Sequence, residues 1–63
     1  MKVIEVLSNS DKSWEDATQK AVKEASKTVK NIRSAWVKDQ SVQVKDGKIE
    51  EFRVTLKISF EIE

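Results

Sequence analysis

Two side chains in this sequence are well suited to holding a ligand, an indole and a guanidinium. Trp36 lies in Ser34-Ala35-Trp36-Val37-Lys38, sharing alternation with Ser34 and Lys38. An indole on an otherwise polar strand face is costly to leave in water, so it marks either a stacked ligand or a contact between subunits. Arg53 shares alternation with Thr55 and Lys57, opposite to the apolar series Phe52, Val54, Leu56, Ile58, Phe60 and Ile62. Its planar fork can donate paired hydrogen bonds to a phosphate or carboxylate and can stack on a ring. The competing reading is an ion pair with Glu51, Glu61 or Asp39.

A third chemistry rests on oxygen. Glu5, Asp11, Asp39, Asp46, Glu50, Glu51, Glu61 and Glu63 are groups of the kind calcium takes, about six to eight oxygens at a time. Their spacing fits no EF-hand loop, which leaves a site at a symmetry axis with each subunit giving one or two oxygens. Other chemistries lack a part. With no Cys and no His, structural zinc, thiol exchange, haem ligation and the nucleophile–imidazole pair are excluded. No pair of carboxylates stands in an identifiably apolar setting that would tune one as a general acid. The sequence therefore points to a binding protein and not to an enzyme.

The 12 Lys and Arg against 11 Asp and Glu leave a formal charge of +1. Neither nucleic acid nor an anionic membrane is attracted by such a balance, and aromatic residues for base stacking are few. The opening MKVIEVLSNS has too short an apolar run for a signal peptide, and no stretch approaches the roughly 20 apolar residues of a membrane helix. A cytoplasmic protein is expected. Residues 1–63 read as a single domain, and so small a domain buries only about 60% of the surface its unfolded chain exposes. Disulfides are unavailable to it, which makes association with further copies the expected supplement.

The elements that must position these groups are legible in the hydrophobic period. Residues 2 to 8 read as a strand with apolar groups on both faces, Val3 and Leu7 on one and Ile4 and Val6 on the other, so two covers are needed. From Ser13 the period becomes helical: Trp14, Ala17, Ala21, Ala25, Thr28, Val29 and Ile32 share a face. Ser13 and Asp16 form a capping-box-like start, Glu15 and Asp16 complement the positive end of the dipole, and Lys27, Lys30 and Arg33 the negative end. The helix is expected to end between Asn31 and Arg33. Trp14, in its first turn, is read as core or interface packing.

Ser34 to Val44 read as a second strand whose parity changes, Ala35 and Val37 against Val42 and Val44, which predicts a bulge near Asp39 to Ser41. Asp46-Gly47 supplies a tight hairpin, and the alternation through Phe52 to Ile62 gives the third strand. The expected fold is α+β, in the order β-α-β-β, with a three-stranded antiparallel sheet of order 1-3-2 packed on one helix. Its other face presents Ser34, Trp36, Lys38, Arg53, Thr55 and Lys57.

Ser-x-x-Ser-Trp-Glu-Asp-Ala at 10–17, the spaced alanines, Thr28, Asn31, Asp-Gly-Lys-Ile at 46–49 and Phe-Arg-Val-Thr-Leu-Lys-Ile-Ser-Phe-Glu-Ile at 52–62 resemble the dodecin family over nearly the whole chain. The resemblance implies a homododecameric hollow particle that commonly binds flavin, riboflavin or FMN, between subunits. It also implies two departures. Aligning on Asn31 puts Ser34 where the family's stacking Trp stands, with Trp36 two residues on, and Arg53 where a hydrogen-bonding Gln stands. Arg at 53 resembles a branch of the family associated with calcium. The expected site is Ser34, Trp36 and Arg53, holding a flavin or similar flat aromatic ligand, with a calcium-binding shell lacking flavin as the alternative.

Overall fold

The computed structural model describes residues 2–62. Four elements follow one another, β1 (Lys2–Ser10), α1 (Trp14–Ser26), β2 (Ile32–Lys45) and β3 (Lys48–Phe60). The sheet is antiparallel throughout, with order β1-β3-β2. The central strand is the one with the cleanest alternation. Val54, Leu56 and Ile58 point to the helix and are buried, while Arg53, Thr55 and Lys57 point to the opposite face.

The helix presents Ala17, Ala21 and Ala25 to that apolar row, and these six residues form the core. Alanine contributes little buried area but lets the helix axis approach the sheet, so that β3 supplies most of the apolar surface. Ile4, Val6, Trp14, Val22 and Ile32 pack around the rim. Trp14 is pinned there: its ring meets Phe52 edge to face, with centroids 5.2 Å apart, and its Nε1 donates to the Ser41 carbonyl at 3.1 Å.

The start of α1 forms as its sequence dictates, with Ser13 as N-cap accepting from the Asp16 backbone N–H at 2.9 Å. A second hydroxyl reinforces it. Ser10, buried at the end of β1, donates to Asp16 Oδ2 at 2.6 Å and accepts from the Lys12 backbone N–H at 2.9 Å. The Ser10 hydrogen bond holds the Asp16 carboxyl below its ordinary value of 3.8, outweighing the opposing effect of desolvation, and the nearby Lys20 charge adds a smaller effect in the same direction.

The other end of the helix differs from expectation. It stops at Ser26, more than a turn before Asn31. Thr28 and Val29 are β-branched and disfavour helix, and Asn31 takes a left-handed backbone with φ of 59°. Thr28 and Val29 therefore lie in the connection rather than on the helix face, and Ile32 reaches the core as the first residue of β2. Lys30 and Arg33 lie beyond the helix dipole, leaving Lys23 in the last turn and Lys27 at the C-cap. The Asn31 carbonyl accepts from the Glu61 N–H at 3.2 Å, anchoring the connection beside the end of β3.

β1 also runs two residues further than expected, to Ser10. Ile62 lies past the end of β3 and is exposed, so the apolar alternation outlasts the strand. The bulge in β2 falls at Lys38, between the pairs Val37↔Leu56 and Asp39↔Thr55, one residue before the predicted span. Two more register shifts occur, at Arg33 and, on β3, at Glu50. The Lys38 bulge turns the side chains over as the parity required, leaving Val37 and Val42 on the helix side and Trp36 and Asp39 opposite. The hairpin closes through Asp46 (φ 53°) and Gly47 (φ 75°), the left-handed pair of a type I′ turn.

Candidate functional site

The face of the sheet turned away from α1 carries the chemistry expected of it. Across it from β1 to β2 run the rows Val3–Ser59–Ser34, Glu5–Lys57–Trp36, Leu7–Thr55–Asp39 and Asn9–Arg53–Ser41. No element among the described residues covers these rows. Leu7 is 79% exposed, Val3 50% and Trp36 47%.

At one end, Ser34 and Ser59 share a hydrogen bond of 2.6 Å between their hydroxyls. Ser59 is buried, so this pair makes a small, satisfied floor beside the Trp36 indole rather than a pair of free donors. Glu5, in the next row, accepts from Lys38 Nζ at 3.1 Å. The extra residue of the bulge thus lays its cation across the sheet to β1.

At the other end, Arg53 Nε donates to Glu51 Oε1 at 2.8 Å, and the same oxygen accepts from Asn9 Nδ2 at 3.1 Å. Of the three partners expected for Arg53, the structure selects Glu51. Glu51 shares the face of Arg53 two positions along β3, whereas Glu61 lies beyond the end of the strand. Asn9 was not anticipated. Its odd position, shared with Val3 and Leu7, places it on this face once β1 extends to Ser10.

The predicted site residues are only partly brought together. Ser34 and Trp36 are near neighbours, but Trp36 pairs with Lys57 and Ser34 with Ser59. Trp36 therefore lies four β3 positions from Arg53, about 13 Å along the strand, and Ser34 lies six positions away, about 20 Å. One protomer does not close a pocket from all three.

Cation ligands are similarly dispersed. Among the described residues, no group of three or more Asp or Glu side chains stands close enough to hold a metal ion. Glu63 falls outside the described residues.

The profile of the Dodecin family matches residues 1–63, the full length of the chain. This chain belongs to the dodecin family. Calcium dodecin from Mycobacterium tuberculosis (strain ATCC 25618 / H37Rv) is 40% identical over 62 residues, covering 97% of this chain and 86% of that protein. The crystal structure of that calcium dodecin, described as a calcium-chelating immunodominant antigen with a novel calcium-binding site, superposes with a TM-score of 0.85 over 98% of this chain and 89% of the other.

The dodecin of Streptomyces coelicolor is similar at 31% identity with a TM-score of 0.92, covering 98% of this chain and 89% of its own. That of Streptomyces davaonensis is similar at 26% identity with a TM-score of 0.92, over 98% and 91%. The β-α-β-β order with sheet order 1-3-2 is thus the dodecin fold. Dodecins are small binding and storage proteins, and this one is not an enzyme. No helix among the described residues is long and apolar enough to cross a membrane.

Proposed function

We propose that this single-domain dodecin assembles with further copies of itself into a closed homododecamer and sequesters a flavin, riboflavin or FMN, between subunits on the open sheet face. The observation that carries the reading is Trp36, about half exposed on a face that no element among the described residues covers. Stacking on the indole would withdraw the isoalloxazine ring from water and quench its excited state. Ser34 lines the floor beside that stack, and Arg53 of a neighbouring subunit donates to the polar edge of the ring. Two subunits are required because the register holds the two groups about 13 Å apart in one chain. The cytoplasmic location expected from the sequence forms part of the proposal.

Titrating the protein into riboflavin or FMN at micromolar concentration is expected to quench flavin emission, and Trp36→Ala to abolish the quenching while leaving melting little changed. Unquenched flavin with the wild-type protein would remove this reading. A second reading is favoured by the 40% identity to a calcium dodecin, namely a shell that binds calcium at subunit interfaces. With its carboxylates dispersed, a cation site would draw one or two oxygens from each of several chains. That reading requires calcium to raise, and a chelator to lower, the melting temperature or the assembled mass.

A further inference from the structure

We infer that Glu51 sets the charge preference of the open-face site, by neutralising Arg53 while leaving the outer edge of the guanidinium available. The inference rests on the proposed contact between Arg53 and the ligand. Glu51 Oε1 takes the Nε hydrogen of Arg53 at 2.8 Å, which is the inner nitrogen of the fork. Among the described residues, the two terminal amino groups form no hydrogen bond with the protein.

Asn9, paired with Arg53 across β1 and β3, donates to the same Glu51 oxygen at 3.1 Å. The carboxylate is thereby fixed from two strands, and it fixes the plane of the guanidinium in turn. The side chain of Arg53 is 52% exposed and that of Glu51 31%, so the pair stands where a bound molecule would reach it.

Within the two adjoining rows of the sheet the other charged group is Asp39, opposite Thr55 and so diagonal to Arg53, and the helix lysines Lys20, Lys23 and Lys27 with Glu24 border the same concavity. Within these rows one cation is faced by two anions, so the sheet itself brings no net positive charge to this end. This end of the face offers hydrogen-bond donors without attraction for an anion. The chemistry it fits is a neutral planar edge carrying carbonyl and ring-nitrogen acceptors, and a phosphate on the same ligand gains nothing from it.

Glu51→Gln keeps an acceptor oxygen at the same reach and removes only the charge, leaving Arg53 without its directly bonded anion and with only the diagonal Asp39 in the adjoining row. Dissociation constants for riboflavin and FMN are to be measured by quenching at low and high salt. The wild-type protein is expected to bind the two within about threefold of each other. E51Q is expected to shift the ratio toward FMN by about fivefold at low salt, the shift fading at high salt as the charges are screened, and Glu51→Asp to restore the wild-type ratio. The ratio is insensitive to a general weakening of the fold, which affects both flavins alike. If the wild-type protein binds both and E51Q leaves the ratio within twofold of wild type, the role of Glu51 is overturned and the site stands. If the wild-type protein quenches neither flavin, the site itself falls and this inference with it.

Discussion

Ser10 shows how much one hydroxyl can organise. It ends β1, is nearly fully buried, and bonds both the Asp16 carboxylate and the backbone entering α1. Because folding holds the Asp16 carboxyl below its ordinary value of 3.8, the stabilisation is fully present above that value and is lost as pH falls through the depressed folded-state value. Asp16→Asn is therefore expected to lower the melting temperature at neutral pH and to flatten its acid dependence below about pH 4. A pH series of thermal melts on both proteins checks this, and parallel acid limbs would contradict it. The Ser13–Asp16 cap was legible from spacing alone. The Ser10 bond was not, since it depends on β1 running on to the edge of the helix. Likewise, Arg53 had three candidate partners in the sequence; Glu61 lies beyond the end of β3 and Asp39 pairs with Thr55, which leaves Glu51, and Asn9 joins it only because the β1–β3 register sets Asn9 opposite Arg53.

At the scale of elements, the period of the sequence identified all four correctly, and its failures fell at boundaries. The helical spacing continues past Ser26 because a turn followed by a strand returns Ile32 to the same core, while Thr28 between them is exposed. The contrary signal lay in the β-branched pair and in Asn31, a residue that tolerates the left-handed backbone. A change of parity in β2 revealed a bulge but could not fix its position to the residue. Two further shifts, at Arg33 and Glu50, also stand between apolar residues of opposite parity, Ile32 against Ala35 and Ile49 against Phe52, but Ile32 reads as helix and the clean alternation starts only at Phe52. The decisive packing is between β3 and the alanine face of α1. Leu56 is fully buried there, so Leu56→Ala is expected to cost about 2–5 kcal/mol in urea unfolding, the alanine-lined helix having no large side chain to fill the gap. A loss under about 1 kcal/mol would show that the site collapses freely.

The molecule as a whole is not shaped like a self-sufficient domain. Its extents are 49 × 18 × 13 Å and its radius of gyration 12.9 Å, against about 10.6 Å for a compact chain of this length. The two-sided character of β1 was legible as a need for two covers, and the structure supplies one: Ile4 and Val6 face the helix, while Val3 and Leu7 face outward. The proposed second cover is another copy of the chain. Light scattering at micromolar concentration is expected to give a multiple of the 7.2 kDa chain mass, and Leu7→Lys, at a position too exposed to matter to the lone protomer, to reduce it. A wild-type mass near that of one chain would refute the assembly. Which faces meet is not written in the period of any single strand, since it depends on groups from separate chains. The three-stranded order nevertheless leaves β1 and β2 as bare margins, each able to template further strands. On β2 the two extra residues are Arg33 and Lys38, long cations at the places where the ladder is already broken. Sideways pairing of the sheet is disfavoured at that margin.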